Sequence, residues 1–63
     1  MQDKLNQLMT EYYVTFDELS IRLGVNKRTL TRKMKGLTDW SYAEMTLLIQ
    51  IFNIQDPEQF FFG

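Results

Sequence analysis

The stretch TFDELSIRLGVNKRTLTRKMKG, residues 15–36, decides how the rest of the chain is read. Thr15 and Glu18 have the spacing of a capping box, in which the threonine hydroxyl accepts from the Glu18 amide and the glutamate reaches back to the Thr15 amide. Val14 and Leu19 flank it as a hydrophobic staple. A helix therefore starts at about Phe16, turns Phe16, Leu19 and Leu23 inward, and stops at Gly24. Asn26 is a good N-cap for the next helix, which runs to about Lys35 and is closed by Gly36. Only Gly24, Val25 and Asn26 separate the two, so they must cross steeply, as in a helix-turn-helix.

Outward from that core, the chain punctuates itself into further helices. Leu5, Leu8, Met9 and Tyr12 follow the i, i+3, i+4, i+7 spacing of one helical face between Asp3 and Tyr13. Ser41 and Glu44 form a second capping box with Trp40 and Met45 as its staple. The helix it opens carries Met45, Leu48, Ile49 and Phe52 on one face, and Leu47 and Ile51 beside them, so it is expected to be the most buried. Asp56 and Pro57 read as the N-cap and first residue of a short last helix through Phe60–Phe62. No segment alternates with period two. The expectation is an all-α domain of about five short helices spanning 1–63, with its helix-turn-helix core at 15–36.

A chain of 63 residues has a thin stability margin. It has no cysteine and no histidine, which removes disulfides, thiolate metal sites, the commonest general base and the commonest nitrogen ligand for zinc. No metal or cofactor is expected. There is no nucleophile motif and no glycine-rich phosphate loop. Asp17 and Glu18, as helix neighbours, diverge and make a poor catalytic pair, so an enzyme is not expected. No run of apolar residues is long enough to cross a membrane and the N-terminus lacks an apolar signal core, which points to the cytoplasm.

The net charge of −1 conceals an asymmetry. Six of the seven basic residues lie between Arg22 and Lys35, whereas all eight acids lie outside Leu19–Thr38. A binding face feels the local field within about a Debye length, roughly 8–10 Å, and not the average over the chain. At ~100° per residue, Lys27, Arg28, Thr31, Arg32 and Lys35 fall within an arc of about 140° on the third helix. Leu30 and Met34 lie on another face, and Lys33 falls outside both. An apolar anchor thus presents a wide cationic and hydroxyl face.

Those residue types suit double-stranded DNA. Arg and Lys donate to guanine O6 and N7 and neutralise phosphate, and Thr reaches a base edge or a thymine methyl. The leading end of a recognition helix enters the groove first. Lys27 and Arg28 are accordingly the foremost candidates for base contacts, with Thr31 and Arg32 behind them. Thr15, Asn26, Thr29, Lys35 and Thr38 are the candidates for phosphate contacts.

Residues 15–54 resemble the phage repressor and Cro-like (Xre-type) helix-turn-helix family. The resemblance lies in a capping Thr, Glu-Leu, Leu-Gly-Val, a polar recognition helix and a closing Gly. The run Arg32-Lys33-Met34-Lys35-Gly36 followed by Thr38-Asp39-Trp40-Ser41 looks most like short regulators of Gram-positive phages. The resemblance implies a five-helix, lambda-repressor-like fold, operator binding, a bacterial host cytoplasm and a two-fold homodimer. By position it puts the family's three main base contacts on Lys27, Arg28 and Arg32. Two positions depart from the family pattern. Phe16 stands where a phosphate-clamping Gln is frequent, and Leu37 stands where a Lys or Arg often follows the closing Gly.

Those lost anchors, the acidic flanks and the aromatic end motivate a second expectation, an antirepressor-like module that docks on a protein partner such as another phage regulator. Neighbouring side chains on a helix point about 100° apart, so Phe60, Phe61 and Phe62 cannot share one core and at least one is expected at the surface, as a dimer or partner contact. Trp40 is expected as a core lid, and Tyr12-Tyr13 as one buried ring and one exposed.

Overall fold

The computed structural model describes residues 2–63. Five helices succeed one another: α1 (Gln2–Glu11), α2 (Phe16–Leu23), α3 (Lys27–Met34), α4 (Tyr42–Phe52) and α5 (Pro57–Phe62). The described residues contain no strand. The radius of gyration is 10.6 Å, matching the roughly 11 Å that compact chains of this length reach. The terminal helices therefore fold onto the body.

Four of the five helices end in the same way. The chain enters the left-handed region at Tyr13, Gly24, Gly36 and Asn53. The amide after each of these reaches back to the carbonyl five residues earlier: Val14 to Met9, Val25 to Ser20, Leu37 to Arg32 and Ile54 to Ile49, at 2.9–3.1 Å. This is the Schellman stop, which satisfies carbonyls the helix leaves orphaned. At three of the four stops it also turns the next apolar side chain inward: Val14 is buried and Val25 and Ile54 are half-buried, whereas Leu37 after Gly36 is 63 % exposed.

Tyr13 stands out among these. A β-carbon in the left-handed region costs about 1–2 kcal/mol, and the ring, 91 % exposed, recovers little by packing. Tyr13→Gly is therefore expected to stabilise the protein by about 0.5–1 kcal/mol after the entropy of a more flexible unfolded chain is subtracted. A denaturation midpoint that falls on this substitution would contradict the strain.

The core is Leu5 of α1, Val14, Leu19 and Leu23 around α2, Leu30 and Met34 of α3, and Leu48 and Phe52 of α4. Trp40, Phe60 and Phe61 pack against it from the side. The expected inward faces are present with three corrections. Phe16 is half-buried. Of the apolar residues on α4 only Leu48 and Phe52 are in the core, and Met45, Leu47, Ile49 and Ile51 are half-buried. A chain this small has too little mass to surround one helix. Neither Tyr12 nor Tyr13 is buried: Tyr12, 43 % exposed, lies edge-on against Phe52 with centroids 5.7 Å apart.

The two capping boxes also differ. At Ser41 both halves form, with the Glu44 amide 3.1 Å from the serine hydroxyl and the Ser41 amide 2.8 Å from the Glu44 carboxylate. At Thr15 only the first half forms, at 3.1 Å. The Glu18 carboxylate instead pairs with Arg22 one turn on, at 2.9 Å, because an i, i+4 guanidinium offers a charge where the Thr15 amide offers a single neutral donor.

Candidate nucleic-acid interface

The α2–α3 corner is set by local chemistry at three residues. Gly24 takes φ +72°, and a β-carbon there would meet no atom within 4 Å, so glycine is needed for its conformation and not for space. Val25 tucks toward the core, and Asn26 caps α3 through its side-chain oxygen, 2.7 Å from the Thr29 amide. α3 is then pinned by Leu30 and Met34. Lys27, Arg28, Arg32 and Lys35 are exposed, and Thr29 and Thr31 are half-buried beside them.

The cations on this segment are not equivalent. Arg22 pairs with Glu18. Lys27 Nζ pairs with Asp17 Oδ1 at 2.7 Å, across the corner between the two helices. Lys33 Nζ pairs with Glu44 Oε1 at 2.9 Å and donates to the Asp39 carbonyl at 2.8 Å. Among the described residues, Arg28, Arg32 and Lys35 make no ion pair. At i, i+4 and i+7 they form one stripe within roughly 60° of the α3 wheel, with Thr31 on its flank.

Lys33 is the residue to which helical periodicity gives no role. It is 8 % exposed and its partner Glu44 is 9 % exposed. The pair ties the end of α3 to the start of α4 and holds the intervening loop through Asp39. A signal existed in the sequence, since Lys33 lies only about 60° from Leu30 on the wheel. Burial pushes the Glu44 carboxyl up, but hydrogen bonds from the Ser41 amide, Lys33 and the Ser41 hydroxyl, together with the Lys33 charge, outweigh it and hold the carboxyl below its ordinary value.

The phosphate candidates are placed unevenly. The Thr15 and Asn26 side chains accept the caps of α2 and α3, so what they can offer a phosphate is the hydroxyl hydrogen and the amide NH2 respectively. Lys35 is exposed and unpaired among the described residues. Thr38 is exposed in the loop after α3, where it borders a hollow of about 500 Å³ with Trp40, Met45, Phe61 and Phe62.

At the other end of the chain, Phe60 and Phe61 stack edge to face at 5.1 Å and are half-buried, while Phe62 is 78 % exposed. Lys4 Nζ donates to the Phe60 carbonyl at 3.2 Å, joining α5 to α1. Phe62 and Tyr42, the latter 83 % exposed, rim a shallow apolar hollow over Met45 and Ile49. Among the described residues no helix is long and apolar enough to cross a membrane, and no three acidic side chains gather where they could share a cation. Comparison with family models, with curated proteins and with solved structures finds no match to this chain.

Proposed function

We propose that this chain binds double-stranded DNA in a sequence-specific manner and acts as a transcriptional regulator of the phage repressor and Cro-like type. The observation that carries the proposal is the stripe of Arg28, Arg32 and Lys35, exposed and free of acid partners among the described residues, on the outer face of a helix entered through a three-residue turn. A helix held in this way docks by its N-terminal end in the major groove. Arg28 and Arg32 then donate to guanine O6 and N7, Thr31 meets a neighbouring base edge or thymine methyl, and Lys35 takes a phosphate. Lys27 stands at the leading end, with the Asn26 amide and Thr29 beside it for the backbone. Thr15 and Thr38 are the further phosphate contacts of this reading. A two-fold homodimer through the α4–α5 end, with Phe62 at its surface, would place half-sites about 34 Å apart.

The test is selection from a random duplex library with the purified chain at moderate salt. Enrichment of a palindrome with one-turn half-site spacing is the expected result. A second reading, docking on a protein partner as an antirepressor does, is favoured by the apolar hollow between Tyr42 and Phe62. Selection that enriches no sequence, together with a stoichiometric complex between the chain and another regulator, would replace the DNA reading by that one.

A further inference from the structure

Asp17 is an acid that the DNA reading leaves without a task. It is the second residue of α2, yet its carboxylate caps nothing, because the Thr15 hydroxyl takes the Glu18 amide. Among the described residues its one side-chain partner is Lys27, at 2.7 Å. The turn of Gly24, Val25 and Asn26 brings the two together, so the bond joins the first turn of α2 to the first residue of α3. Under the DNA reading, on which this inference rests, that is the end of α3 that enters the groove. The two side chains are 62 % and 65 % exposed. A pair this open to water is weak and exchangeable, and a phosphate or a base edge can displace the carboxylate.

We infer that Asp17 is a built-in competitor that withholds Lys27 from DNA. The carboxylate cancels the Lys27 charge on the free protein, so Arg28, Arg32 and Lys35 are the charges that first meet a duplex. Lys27 joins them only by leaving Asp17, and Asp17 then faces the phosphates uncompensated. Both effects lower the affinity for any duplex and make Lys27 a conditional contact. An acid in the first turn of a helix also interacts favourably with the helix dipole. That role alone would change stability and leave the contribution of Lys27 to DNA binding untouched.

A double-mutant cycle separates the two roles. Wild type, Asp17→Asn, Lys27→Met and the double variant are titrated against a fluorescent duplex of random sequence over a range of salt concentrations. Asp17→Asn is expected to tighten binding about fivefold and to steepen the salt dependence by about 0.9, the increment of one further phosphate neutralised. Lys27→Met should weaken binding by less than about twofold in the wild-type background and by about fivefold with Asn at 17, because only there is the lysine free. Asp17→Ser should reproduce Asp17→Asn. Equal effects of Lys27→Met in both backgrounds, with salt-dependent binding intact, overturn the inference and leave the DNA reading standing. Absence of salt-dependent duplex binding by both wild type and Asp17→Asn overturns the DNA reading and the inference with it.

Discussion

Glu44→Ala is expected to cost about 3–5 kcal/mol of folding stability, because it leaves the Lys33 ammonium buried without its counter-charge. A domain of this length has a total stability of only about 3–9 kcal/mol, so the loss removes at least roughly a third of it. The loss comes from breaking the pair, and an apolar pair of similar volume need not suffer it. Lys33→Met combined with Glu44→Leu is expected to stay within about 1–2 kcal/mol of wild type, with part of that cost coming from the severed half of the Ser41 capping box. Urea denaturation followed by circular dichroism measures both. A loss below about 1 kcal/mol for Glu44→Ala would mean that water reaches Lys33 and screens it.

The same residue sets an acid limb of stability. The Glu44 carboxyl is held below its ordinary value of 4.5 in the folded protein. A depressed carboxyl contributes stability that is fully present above its unfolded value and is lost as pH falls through the folded one. Stability should therefore begin to decline below about pH 4.5. Glu44→Gln, which cannot ionise, should flatten this part of the decline, and an unchanged acid profile would assign it to other carboxylates.

The second large effect concerns the interface. Arg28→Ala and Arg32→Ala are each expected to weaken operator binding by about 1–3 kcal/mol and to relax base preference at one position. They lie one turn apart, close enough to couple, so the double variant should lose more than either single one, at least roughly fivefold in affinity. Lys35→Ala should behave differently, weakening operator and random duplex alike and reducing the salt slope by about 0.9. Folding is not at issue, since all three side chains are exposed. If the double arginine variant still selects the same sequence from a library, α3 does not read bases.

The local architecture was legible in the sequence because helix ends are written in nearest neighbours. Ser41 with Glu44, Asn26 with Thr29, Asp56 with Gln59, and the glycines at 24 and 36 act over three to five residues, and each ends or begins a helix where the spacing predicted. The inward face of α3 was equally legible, since Leu30 and Met34 alone could anchor it. Asn53 and Tyr13 were not read as stops. Asparagine is a known but less frequent left-handed stop and tyrosine a rare one; in both places the following side chain, Ile54 or Val14, packs on the core.

Charge was the part that sequence position could not assign. The helical wheel sets Lys33 apart from the other cations of α3, and the i, i+4 spacing offers Glu18 to Arg22, but position along the chain gives Lys27 and Lys33 no partner. The tertiary structure divides the six cations between Arg22 and Lys35 into Arg22 and Lys27 held by exposed acids, Lys33 buried against Glu44, and Arg28, Arg32 and Lys35 left open. Asp17 lies ten residues before Lys27 and Glu44 eleven after Lys33. Periodicity says which way a side chain points along its own helix, whereas a partner on another helix depends on how the two cross, and that is decided only when the core has packed.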